Sequence, residues 1–261
     1  MKPLTWASLY IFSLFFPGCS DLERDNPLDP ANPSSFRESV AVAEAFVNTN
    51  PAAGVSYNGE ALRALDSLKT IFGDRLLVIH YHRNTRDFTD SLAVEPLAET
   101  RYSAYTTEYD ERRFKGVPDI FINGPRERIQ GASSAASVSD RALPLINAVL
   151  SEECYFTMEA DIRAENGGFS GRVRVARLGN QSAENLSLLF VVTSDRGGAG
   201  RYSVSGMAPP VAVDRLNAGS YRSFDFEVSA RNGRAERLFI LLVSDDTGRI
   251  EFALSGTGGE I

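Results

Sequence analysis

Few residues in this 261-residue chain are of a type that could do chemistry. There are two cysteines, Cys19 and Cys154, and two histidines, His80 and His82. The histidines stand two apart in "RLLVIHYH", and residues two apart on a strand share a face. Two imidazoles on one face could give a metal two of its ligands. No Asp, Glu or Cys at diagnostic spacing completes the set, so hydrogen bonding at a strand end is the expectation and no metal site is assigned. No serine motif and acid are placed to make a hydrolytic triad. "GGFSG" and "GGAG" lie between strand-like runs, which makes them turns rather than phosphate loops. Asp245-Asp246-Thr247-Gly248 lacks the alternating oxygen ligands of a calcium loop and reads as a hairpin turn. Asn180-Gln-Ser and Asn185-Leu-Ser fit a glycosylation pattern, which on its own is a weak signal. No catalytic residue and no cofactor are expected.

One stretch is unusual in another way. In "GVPDIFING", Asp119–Ile122 reads as a buried strand and Asn123-Gly124 as a tight turn. Pro118 stands at the door of that strand, where proline is tolerated only as a first residue, at an edge or at a bulge.

The elements that must position these residues begin after an export signal. "MKPLTWASLYIFSLFFPGCS" places Lys2 before an apolar run from Leu4 to Phe16. That run is shorter than the ~20 residues needed to span a bilayer and has the length of a signal-peptide core. Its end, Phe16-Pro17-Gly18-Cys19, resembles a bacterial lipobox, which implies lipid attachment to the Cys19 thiol and cleavage before it. Phe16 and Pro17 depart from the usual residues. With Cys19 lipidated, Cys154 has no intramolecular partner, and an exported chain without disulfides must rely on core burial. Cys154 is expected to be a buried, inert thiol. The net charge is −7, and there is no basic run, so the electrostatic footprint of a nucleic-acid binder is missing.

Residues 1–18 are therefore read as a signal peptide and 19–39 as a lipidated, Pro-rich tether. Pro27, Pro30 and Pro33 recur every third residue, the period of polyproline II, and such a spacer could reach roughly 60 Å at ~3.1 Å per residue. Residues 40–152 alternate strands and helices. "VAVAEAFV" is a strand, "NGEALRALDSLKTIFG" a helix with Asn58 as cap candidate and Gly73 as stop, and "RLLVIHYH" a strand buried on both faces. A second helix is expected in "EPLAETRYSAYTTEY" with Pro96 in its first turn. The hairpin from Pro118 and a closing helix containing Pro144 follow. From Cys154 the texture changes to seven short alternating runs punctuated by Gly, Asn and Asp, which suits a β-sandwich over residues 153–261.

The order β-α-β, α, β-β-α resembles the thioredoxin fold, and "GVPDIFINGPRERIQGA" looks like that family's segment in which a cis-proline starts the third core strand. The resemblance implies a cis Val117–Pro118 bond. It is closer to outer-membrane lipoproteins that join a thioredoxin-like domain to a β-sandwich. "AFVNTNPAAGVSYN" and "LLVIHYHRN" match their pattern through Phe46, Asn48, Thr49, Tyr81 and His82. In that register Pro51 and Gly54 occupy the two C-x-x-C positions. Thiol–disulfide exchange needs a thiolate, and residues 40–152 contain no cysteine.

The fold class implied is an α/β thioredoxin-like domain followed by an all-β antiparallel sandwich (Ig-like). The function implied is that of a redox-inactive, lipid-anchored protein of the bacterial envelope, at the outer membrane, that binds peptide or protein and is not an enzyme. Val117 and Pro118 are the candidate peptide-binding residues, since backbone beside such a proline pairs with extended peptide. Partners are thus the membrane, through the anchor, and a peptide or envelope protein, with no nucleic acid. The alternative is a structural or assembly component acting through the sandwich.

Overall fold

The computed structural model describes residues 26–32, 34–53, 56–106, 116–231 and 235–261. Its first half runs β1 (Arg37–Glu38), β2 (Ala41–Val47), α1 (Ser56–Phe72), β3 (Leu76–His82), α2 (Leu97–Thr106), β4 (Asp119–Ile122), β5 (Glu127–Gln130) and α3 (Ala135–Leu150). The second half is built from β6 (Glu153–Cys154), β7 (Phe156–Glu165), β8 (Gly168–Arg177), β9 (Ala183–Ser194), β10 (Ser203–Met207) and β11 (Val211–Leu216). It ends with β12 (Tyr221–Ser229), β13 (Arg237–Ser244), β14 (Ile250–Gly256) and β15 (Gly259–Glu260).

The strands form three sheets. β1 pairs with β6, β12-β8-β7-β15 make a four-stranded sheet, and nine strands join in the order β14-β13-β9-β10-β3-β2-β4-β5 with β11 on β9. This corrects the expected fold class. There is no self-contained α/β thioredoxin-like domain followed by a separate sandwich. The chain is mostly β, with 43% strand and 23% helix, and its main sheet crosses the boundary expected at residue 152. The joint is the parallel pairing of Ser203 in β10 with His80 in β3, extended by a 3.0 Å bond from the His80 N–H to the Tyr202 carbonyl. The physical reason lies in β3. Every residue of it is buried, and an apolar strand left at an edge would be an aggregation template. The texture change at Cys154 marks where helices stop, which says nothing about where the sheet stops.

Three apolar layers follow. Helices α1 and α3 cover one face, with Leu62, Leu65, Leu68, Val138 and Ile146 packed on Ala43, Ala45 and Val78. Helix α2 covers part of the other face, where Phe46, Tyr81, Tyr102 and Phe121 continue into Val191, Phe239 and Leu241. The four-stranded sheet lies over the second-half strands through Met158, Val173 and Phe226 against Leu188, Phe190 and Ile240.

Local chemistry differs from the sequence signals at several places. α1 starts at Ser56, so Asn58 lies inside it and is not its cap. Gly73, at φ +55°, ends it as anticipated. Glu95–Pro96 is a cis bond that precedes α2 rather than opening it. α3 runs through Pro144, capped by the Ser134 hydroxyl, which accepts from the Ser137 N–H at 3.1 Å. The expected tether is not an extended spacer over its described part. Residues 26–39 lie on the body: Ser35 is buried and its hydroxyl accepts from the Gly179 N–H at 3.1 Å. β1 then pairs with β6, and the Ser39 hydroxyl donates to the Glu152 carbonyl at 2.7 Å.

Candidate functional site

Cys19 and Gly54 lie outside the described residues. Pro51 is exposed and opens a short helical turn, Pro51–Ala53, ahead of α1. Val117–Pro118 is cis, with Pro118 buried and Val117 half-buried. The antiparallel register pairs Asp119 with Phe46. Continuing that register by one and two steps sets Pro118 opposite Val47 and Val117 opposite Asn48. The structure thus brings Val117 and Pro118 to the same end of the sheet as the Asn48–Pro51 segment.

That end is built from buried polar groups. Asn48 is fully buried, and its amide donates to the carbonyls of Arg83 at 3.1 Å and Phe88 at 2.9 Å. Its carbonyl oxygen accepts from the Asn50 N–H at 2.9 Å, and its own N–H donates to Asn58 Oδ1 at 3.2 Å. Asp90 Oδ2 accepts from the Thr49 N–H at 2.6 Å and from His82 Nδ1 at 2.9 Å. Burial alone would raise the Asp90 pKa. The bonds from His82 and from the Thr49 and Leu92 N–H groups outweigh it and hold the carboxyl below the usual range, so Asp90 is a carboxylate. Asn84 Oδ1 accepts from the Asp90 N–H at 2.9 Å. None of the interacting groups Asn84, Asp90 and Asn58 stood out in the sequence as a site residue, because no spacing rule links them.

A buried histidine held by a carboxylate is half of a nucleophile-activating relay. The other half is missing: His82 Nε2 is buried without a hydrogen-bond partner among the described residues. His80 is alike. Its Nδ1 meets the Arg201 carbonyl at 2.6 Å and its Nε2 has no partner. Burial, with the neighbouring His82 second, lowers its pKa to about 3 and keeps it neutral. The pair does strand-end hydrogen bonding, and among the described residues no group of three or more His, Cys, Asp or Glu could hold a metal. Cys154 is buried, which pushes its thiol pKa up.

Around Pro118 the backbone is clamped. The Tyr102 hydroxyl accepts from the Gly116 N–H at 3.1 Å and donates to Asp119 Oδ2 at 2.9 Å. Arg128 Nε donates to Asp119 Oδ1 at 2.8 Å, the Gly131 N–H donates to the Pro118 carbonyl at 2.9 Å, and the Arg83 guanidinium stacks 3.9 Å from the Tyr102 ring centroid. Burial raises the Asp119 pKa against the opposing bonds from Arg128, and pushes Tyr102 up to about 12. Within this clamp neither the N–H nor the carbonyl of Val117 has a partner among the described residues.

A second buried network stands on the α2 face. Glu44 is fully buried in mid-strand and accepts from Arg101 Nε and Nη2, both at 2.9 Å, and from the Tyr105 hydroxyl. A glutamate inside the apolar run "VAVAEAFV" was the visible signal for it.

No protein-family model matches the chain, and neither does any curated protein. Among solved structures, HBP35 of Porphyromonas gingivalis is similar in fold, with a TM-score of 0.57 at 11% identity over 84% of this chain and 75% of that one. The similarity covers both halves of the chain. The β-glucosidases DesR of Streptomyces venezuelae and 3B of Thermotoga neapolitana share 13% identity over 41% and 42% of this chain and 15% and 17% of theirs. Their TM-scores of 0.24 and 0.25 bear on neither fold nor activity. Among the described residues no helix is long and apolar enough to cross a membrane.

Proposed function

We propose that this is a lipid-anchored, outer-membrane protein of the bacterial envelope that binds extended peptide or protein without enzymatic chemistry. The observation that carries the binding reading is the backbone of Val117, whose N–H and carbonyl have no partner among the described residues. Gly116 and Asp119 on either side of the Val117–Pro118 bond are held by Tyr102. An extended segment laid beside it would gain main-chain hydrogen bonds with little ordering cost to the protein. Redox inactivity is supported by the lack of cysteine between residues 40 and 152. The anchor is supported by Gly18-Cys19 after a short apolar run, and the outer-membrane location by Ser20, which stands where an aspartate would direct inner-membrane retention.

The test is photo-crosslinking from position 117 in the lipidated protein, with position 71 as control, against a mixture of extended peptides. Adducts should form at 117 and not at 71, and Tyr102→Phe, which loses the bond to Asp119, should weaken them while leaving the fold intact. Equal labelling at both positions would overturn the reading.

A further inference from the structure

We infer that the end of the four-stranded sheet where residues 26–39 dock is the membrane-facing surface of the protein, and that its occupant is the lipid surface carrying the anchor. This deepens the proposal above and rests on its lipidated Cys19.

Three observations converge. The first is how early the chain is captured. Leu28 and Pro30 lie against Gly219, so closely that a Cβ there would meet the Leu28 carbonyl oxygen at 2.4 Å and Pro30 Cγ at 2.9 Å. Ser35 is bonded to Gly179, and β1 is paired with β6. From Cys19 to Asn26 the chain can extend at most about 25 Å at ~3.3–3.6 Å per residue. A body captured that close to its anchor cannot turn freely above the bilayer. The turns at Gly179 and Gly219 must be its near side.

The second observation is composition. Phe36, Tyr155 and Tyr221 are three of the seven exposed large apolar side chains among the described residues, at 38%, 37% and 55% exposure. All three are at this end. Arg37 pairs with Cys154, which sets Phe36 beside Tyr155, and Tyr221 pairs with Ala176, one residue from the Arg177 partner of Phe156. Tyr155 and Tyr221 join an apolar ring to a hydroxyl, the kind of side chain that rests at a membrane–water interface, and Phe36 adds apolar surface beside them.

The third is charge. Arg174 lies 5.0 Å from the Tyr221 ring centroid and Arg177 5.5 Å from that of Tyr155. Arg174 also pairs with Glu159 at 3.4 Å, and Arg177 donates to the Gln181 and Tyr155 carbonyls at 2.8 and 2.9 Å; those bonds hold both positive charges beside the rings, where they suit phosphate headgroups.

The chain supplies its own probe background. Its single tryptophan is Trp6, upstream of Cys19, so the processed protein has none. Lipidated Tyr155→Trp, Tyr221→Trp and Tyr57→Trp variants are reconstituted in phosphatidylethanolamine–phosphatidylglycerol vesicles that contain a nitroxide-headgroup lipid. Tyr57 is an exposed residue at the start of α1, at the far end of β2 from the docked segment. Tryptophan at 155 and 221 should lose fluorescence and shift to the blue, and tryptophan at 57 should keep its emission. Vesicle flotation is read in parallel, with Cys19→Ser as comparison. Flotation of the parent with equal quenching at all three positions, or quenching at 57 alone, would overturn the orientation and leave the anchor standing. Flotation unaffected by Cys19→Ser would overturn the anchor itself.

Discussion

Removing Arg101 is the sharpest test of the buried network on the α2 face. Glu44 has no exposure, and Arg101 answers both of its carboxylate oxygens at 2.9 Å. Arg101→Met keeps most of the side-chain volume and removes the charge. Glu44 is then left buried with its guanidinium partner gone and the Tyr105 and Tyr81 hydroxyls beside it, and stranding one partner of a buried pair costs about 3–5 kcal/mol. With a urea slope near 3 kcal/mol/M, the unfolding midpoint should fall by about 1–1.7 M. The double variant Glu44→Leu/Arg101→Met should recover most of this, because well-packed apolar groups replace such pairs at little or no cost. Equilibrium urea unfolding followed by far-UV circular dichroism measures both. A loss below about 1 kcal/mol, the range of an exposed pair, would refute the argument, and so would a double variant no more stable than the single one.

Other outcomes follow from the same geometry. An unfolded histidine takes up its proton near pH 6.5, whereas folded His80 does so only at about 3. Stability present above pH 6.5 should therefore be lost on acidification through that window, at about 1.4 kcal/mol per pH unit, and His80→Asn should flatten the slope in urea titrations run from pH 7 to pH 4. Asp90→Asn should remove a smaller acid-side loss and loosen the Arg83–Leu92 loop, seen as faster amide exchange there. Gly206 sits where a Cβ would meet the Ser229 carbonyl oxygen at 2.0 Å, so Gly206→Ala should lower the unfolding free energy by about 1–3 kcal/mol. The parent protein should not catalyse dithiol-dependent insulin reduction.

The sequence was most informative where periodicity is local. In β12, Phe226 and Val228 point inward and Asp225 and Glu227 outward, as alternation requires. β11, Val211–Leu216, escaped notice because two register shifts against β9 break its pattern. The union of the two halves was invisible for a different reason. Ser203 and His80 carry no mark of their pairing, and sheet adjacency is a long-range property that no local pattern encodes. Of the candidate site, Pro118 could be read from the strand it precedes, whereas Tyr102, Asp90 and Asn84 act through contacts between distant segments. The docking of residues 26–39 was hidden by their Pro-rich composition, which suits a spacer as well as it suits a strap.

The joint between β3 and β10 also dictates an order of events. Synthesis delivers β3 about half a chain before the strand that closes its edge. Until β9, β10 and β13 have all arrived, Leu77, Ile79 and Tyr81 lack the Val191, Phe239 and Leu241 side of their core, and until β10 pairs with it β3 presents unpaired peptide groups to whatever is near. A nascent first half is thus a client for holdase chaperones rather than an early-folding unit. A fragment ending at residue 152 should precipitate or bind a holdase. The full chain, once closed, should unfold in a single transition that melts both halves together.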